Sequence, residues 1–144
     1  MREGNVLIHD EAGFQGMRKA GALAADVLDM ITEHVKKGTT TQMLDDICHE
    51  YIIKQGAIPA PLNYKGFPKS TCISLNHVVC HGIPGDRKLL SGDILNIDVT
   101  VILDGWYGDT SRMYYVDTPP IKSQRLTEVT YDCLMFGIEA AKPG

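Results

Sequence analysis

Two acids, Asp98 and Asp109, carry the chemistry this sequence offers most directly. They lie in the stretch 93–116, which reads as two strands joined at Asp104-Gly105. An Asp-Gly pair between runs of branched and aromatic residues is a strong hairpin signal. With those two residues as the turn, Leu103 faces Trp106, Thr100 faces Asp109 and Asp98 faces Ser111. Directly paired residues share one side of a sheet, as do residues two apart on a strand. Asp98, Thr100 and Asp109 therefore share a face, and the two carboxylates are diagonal neighbours with α carbons about 7–8 Å apart. Like charges that close repel, more so when buried, and a bound cation removes the conflict. The hairpin alone leaves two readings: a cation-binding pair, or two solvated acids on an exposed face.

Histidines are the next candidates. His81 sits between a strand end and the turn Gly82-Ile83-Pro84-Gly85, a place where sites are often built. His77 falls in a turn just after Asn76. His34 and His49 lie in helical stretches without a second ligand type at metal-binding spacing, and read as surface or structural groups.

The elements that must position these residues follow from periodicity and punctuation. The opposite face of the first hairpin strand, Leu95, Ile97, Val99, Val101 and Leu103, is wholly apolar and calls for a core. Residues 10–37 read as a helix with Asp10 as N-cap and Phe14, Met17, Gly21, Ala24, Leu28, Ile31 and Val35 on one face. A second helix is expected over 41–55, capped by Thr40 or Thr41 and ended by Gly56, with Leu44, Ile47, Cys48, Tyr51 and Ile52 as its stripe. Residues 57–70 hold three prolines, which argues for a loop. Its Tyr64 and Phe67 suit either a binding wall or a loop folded on its own core. Residues 71–80 read as strand, turn or bulge, then strand, and 85–92 as a connector. After Pro119-Pro120 a third helix is expected over 123–141, with Leu126, Val129, Thr130, Cys133, Phe136 and Ala140 on its face.

Composition narrows the function class. The 144 residues suit one domain with a sizeable core. Apolar content of 44%, charged content of 22% and a net charge of −4 are those of an ordinary globular protein. There is no basic run, so no direct nucleic-acid binding is expected. No stretch approaches the ~18 apolar residues of a membrane span, and the first ten residues lack the apolar core of a signal peptide. The cysteines Cys48, Cys72, Cys80 and Cys133 show no CxxC spacing and read as reduced thiols of a cytoplasmic protein.

Two segments carry a family. Asn76-His-Val-Val-Cys-His81-Gly-Ile-Pro84, followed by Gly92-Asp-Ile-Leu-Asn-Ile-Asp98 and Asp104-Gly-Trp-Tyr-Gly-Asp109-Thr-Ser-Arg-Met113, closely resembles the type I methionine aminopeptidases of bacteria. The match is collinear from the first helix to Gly144. Proline dipeptidases share the aspartate spacing but lack the Cys80-His81-Gly82-Ile83-Pro84 context. The resemblance implies a pita-bread α/β (α+β) fold: two pseudo-symmetric halves about a curved antiparallel sheet with flanking helices. It implies an enzyme that removes the initiator methionine from nascent proteins when the next residue is small. It implies two divalent metals (Co, Mn, Fe or Zn) in a five-ligand site. Asp98 would ligate one metal and Asp109 would bridge both. His81 would contact the substrate at the scissile amide. Tyr64, Phe67 and Cys72 would line the methionine pocket, and Thr100 is placed to orient a carboxylate. Nascent polypeptides and the ribosome are the implied partners.

The sequence also departs from the family. Pro61 lies where many relatives carry cysteine, and Lys65 where many carry histidine. The other three ligands of the family, a histidine and two glutamates, have no counterpart between Asp109 and Gly144, where Glu128 and Glu139 match no ligand motif. The chain is therefore expected to be the N-terminal half of a catalytic domain, with two of five ligands, inactive alone and exposing apolar surface. The alternative is a non-catalytic half-domain that binds a partner through the loop 57–70.

Overall fold

The computed structural model describes residues 7–144. Helix α1 (Glu11–Ile31) starts where Asp10 accepts a 3.0 Å hydrogen bond from the Gly13 amide, the N-cap its sequence offers. It stops earlier than periodicity predicts. Residues Thr32–His34 tighten into one 3-10 turn, with the Thr32 hydroxyl bonded back to the Leu28 carbonyl at 3.0 Å. The chain is then drawn towards the 85–92 connector, where the Gly38 amide donates to the Leu89 carbonyl at 2.8 Å. Lys36 and Lys37, inside the expected range 10–37, thus lie beyond the helix.

Helix α2 (Thr41–Lys54) begins at Thr40, whose hydroxyl accepts from the Met43 amide at 3.1 Å. Gly56, at φ 76, turns the chain out of it as expected. The sheet is antiparallel throughout, with strands β1 (Ile58–Pro59), β2 (Cys72–Leu75), β3 (Ile94–Leu103) and β4 (Trp106–Tyr115). Strand β4 pairs one edge of β3, while β2 and then β1 lie along the other. The hairpin takes the register its turn demands: Leu103 opposes Trp106, Thr100 opposes Asp109 and Asp98 opposes Ser111.

That register sorts the two faces. Leu95, Ile97, Val99 and Val101 are fully buried against Leu23, Val27, Leu28 and Ile31 of α1 and Leu44, Cys48 and Ile52 of α2. Each such aliphatic side chain contributes about 1.5–3 kcal/mol by burial. The buried stripe of α1 differs from the expected one: Gly13, Ala20, Leu23 and Val27 face inward, while Phe14 and Met17 are about half exposed. Close backbone approach causes the rotation. A side chain on Gly108 would drive into the Ala20 carbonyl, and one on Gly16 into the Trp106 indole. Small residues of α1 therefore meet Gly108 and the Trp106 indole of β4.

Two further expectations change. Residues 57–70 are not all loop, because Ile58 and Pro59 pair with Ile102 and Val101 at the sheet edge, where a proline is tolerated. Residues 78–80 are not a strand. The chain turns at Asn76 (φ 53) and comes back alongside β2, with the Ile73 amide donating to the Gly82 carbonyl at 2.9 Å. Helix α3 (Ile121–Ala140) forms about where predicted but buries none of its residues, and Leu126, Leu134, Phe136 and Ile138 are more than half exposed. All four cysteines are free. Among the described residues no helix is long and apolar enough to cross a membrane.

Candidate active site

The polar face of the β3–β4 hairpin floors a cleft of about 960 Å³. Asp98, Thr100 and Asp109 project into it from the hairpin, as alternation requires. Cys72 joins them because it pairs directly with Asp98 across β2 and β3. Tyr64 and Phe67 line it from the loop ahead of β2, with Pro61 and Lys65 beside them. His81 and Ile83 line it from the segment beyond β2. The sequence-predicted residues Tyr64, Phe67, Cys72, His81, Asp98, Thr100 and Asp109 thus share one concavity. Tyr107 also lines it and escaped the sequence reading. It sits two residues before Asp109 on the same strand face, so alternation could have found it.

Each side of the cleft has a local cause. Asp45 of α2, itself buried, accepts from the Ser70 amide at 3.1 Å, the Thr71 amide at 2.8 Å and the Thr71 hydroxyl at 2.7 Å. These bonds anchor the end of the aromatic loop just before Cys72. His49 adds a 2.8 Å bond to the Ser70 hydroxyl, the structural role expected of it. His34 lies 3.5 Å from Glu33. The return past β2 is held by the Gly82 amide on the Ser74 hydroxyl at 3.1 Å. A side chain on Gly82 would strike the Ile73 carbonyl, so only glycine lets this segment lie so close. His81, just before it, is held at φ 53. His77 lies outside the main cleft, beside a smaller depression with Asn76 and Arg87.

The electrostatics of the floor are set by burial and by two neighbouring carboxylates. Burial, then the negative charge of Asp109, push the Asp98 carboxyl above its usual range, and His81 pulls it back down. Burial and the charge of Asp98 push the Cys72 thiol up to about 11, so it is a neutral, soft wall group. Two carboxylates on one face offer hard oxygen donors suited to a divalent cation. Among the described residues no group of three or more histidine, cysteine, aspartate or glutamate side chains is placed to hold a metal ion. Asp98 and Asp109 are thus the donors of this cleft whose chemistry suits such a cation.

The chain is 65% identical over 139 residues to a methionine aminopeptidase of Rickettsia prowazekii, covering 96% of this chain and 54% of that relative. It is 55% identical over 141 residues to one of Escherichia coli, covering 96% and 53%. The crystal structure of the Rickettsia prowazekii enzyme superposes with a TM-score of 0.95 over 96% of this chain and 56% of its own. A methionine aminopeptidase from Thermotoga maritima, 31% identical, superposes at 0.91 over the same shares of the two chains. The chain spans about half the length of the curated relatives it matches. Its helices and antiparallel sheet have the pita-bread architecture of these neighbours. With residues 15–144 matching the family model as well, the chain belongs to metallopeptidase family M24.

Proposed function

We propose that this chain forms the N-terminal half of a single methionine aminopeptidase catalytic domain, which removes the initiator methionine when the second residue is small. The observation that carries the reading is the placement of Asp98 and Asp109 on one sheet face, in a cleft shared with His81, Tyr64, Phe67 and Cys72. In this reading Asp98 and Asp109 would hold the divalent cations through their carboxylates. Cobalt, manganese, iron and zinc all suit the donors. When bound, such a pair supplies Lewis acidity and a water of lowered pKa.

The remaining steps belong to the chain's own residues. Tyr64, Phe67 and Cys72 enclose a thioether side chain in soft apolar surface. Thr100, directly opposite Asp109, donates its hydroxyl to fix a carboxylate's orientation. His81 donates a hydrogen bond at the scissile amide, steadying charge that develops on the carbonyl or the leaving amine. The partners are the N-termini of nascent polypeptides, met in the cytoplasm where they leave the ribosome.

Nuclear magnetic resonance tests the reading on these 144 residues. Manganese should broaden amides centred on Asp98, Thr100, Asp109 and His81. Met-Ala-Ser should shift Tyr64, Phe67 and Cys72 more than Lys-Ala-Ser does. Broadening centred elsewhere, or indifference to the first side chain, would sink it.

A further inference from the structure

Lys65 stands apart from the other groups that line the cleft. Among the described residues lining it, Lys65 is the one lysine or arginine, facing a floor that carries Asp98 and Asp109. Its backbone is held at φ 48 and ψ 32, a left-handed conformation that favours glycine and that few long side chains adopt. The turn around it holds that conformation. The Asn63 amide donates to the Phe67 carbonyl at 2.8 Å, the Tyr64 amide to Pro61 at 3.0 Å and the Phe67 amide to Tyr64 at 2.9 Å. Asn63 and Gly66, at φ 67 and 84, are left-handed as well. The Lys65 ammonium lies 5.4 Å from the centre of the Tyr64 ring, within cation–π range. Lys65 is itself exposed, so its charge lies in solvent beside the Tyr64 ring.

We infer that Lys65 is a specificity-determining residue: it receives a carboxylate carried by the bound peptide beyond its N-terminal residue. This rests on the peptide-cleft reading proposed above and deepens it, by naming peptides with acidic residues near the N-terminus as the preferred class. A chain of net charge −4, with two acids on the cleft floor, would otherwise repel such peptides. The carboxylate has two sources, an acidic side chain or the C-terminus of a short peptide.

The test is a set of binding titrations on the 144-residue chain in EDTA at low salt, followed by nuclear magnetic resonance. The probes are Met-Ala-Glu-amide, Met-Ala-Gln-amide and Met-Ala-Gln with a free C-terminus. A carboxylate at either place should tighten binding about two- to fivefold over Met-Ala-Gln-amide, the scale of an exposed ion pair. Which of the two peptides gains identifies the source. The ratio should fall to one or below in Lys65→Met, persist in Lys65→Arg, and shrink as salt rises. Equal binding of all three peptides by the natural chain, or a preference that survives Lys65→Met, overturns the assignment and leaves the peptide cleft standing. If none of the peptides binds, the peptide-cleft reading falls and the role of Lys65 falls with it.

Discussion

Cys72 and Asp98 are opposed directly across β2 and β3, so a wall residue and a floor carboxylate are set by the same backbone pairing. Apolar pocket and acidic floor are thus parts of one sheet surface. Moving either strand by one residue would send that strand's own side chain to the core face.

Replacement of Asp98 separates the two demands on that surface. Asp98→Asn removes a half-buried charge that Asp109 opposes, so the urea midpoint of the metal-free chain should rise. Manganese binding should weaken by about tenfold or more, since even the loss of a ligand's supporting partner costs about 10–100-fold. The natural 144-residue chain should itself show no pair of tight manganese sites by calorimetry and no cleavage of Met-Ala-Ser. A stability decrease on Asp98→Asn, or two tight sites, would contradict this account of the floor.

Gly108 tests the contact between α1 and β4. Gly108→Ala places a methyl group against the Ala20 carbonyl backbone, which has no flexible side chain to yield. The expected cost is about 3 kcal/mol, near the upper end for overpacking, read from the shift of the urea midpoint. A loss below 1 kcal/mol would mean that the helix can slide away from the strand.

Asp45 tests the anchor of the aromatic wall. Asp45→Ala leaves the Ser70 and Thr71 amides and the Thr71 hydroxyl without their buried acceptor. The expected destabilisation is about 2–4 kcal/mol, with faster hydrogen exchange at both amides. Unchanged exchange there would show that Asp45 does not hold the loop end.

Cys48 predicts an alkaline limit. Burial, helped by the charge of Asp45, pushes its thiol up to about 12 from an ordinary value of 9.0. A group whose pKa is raised by folding contributes stability that is complete below the unfolded value and lost as pH climbs towards the folded one. Unfolding free energy should therefore decline between pH 9 and 12, and the decline should flatten in Cys48→Ala. At pH 8 iodoacetamide should label exposed Cys80 and Cys133 well before Cys48 or Cys72. Early labelling of Cys48 would show that its surroundings open readily.

By itself the sequence determined what depends on near neighbours. Asp104-Gly105 dictated the hairpin and, through the two-residue alternation of a strand, put Asp98, Thr100 and Asp109 on one side. Asp10, Thr40 and Gly56 marked helix ends through bonds or dihedrals of the local backbone. The motif around His81 pointed to the family before any contact was known. Only the tertiary structure decided what depends on distant segments. Cys72 met Asp98 because two strands far apart in the chain paired. Pro59 entered the sheet because β3 offered it an edge, and His81 reached the cleft because Gly82 could lie against Ile73. The inward stripe of α1 was chosen by the glycines that let its backbone approach β4 and Trp106, a matter of space that hydrophobic periodicity does not encode. The apolar face of α3 was legible, but burial needs a partner surface, and among the described residues nothing covers that face.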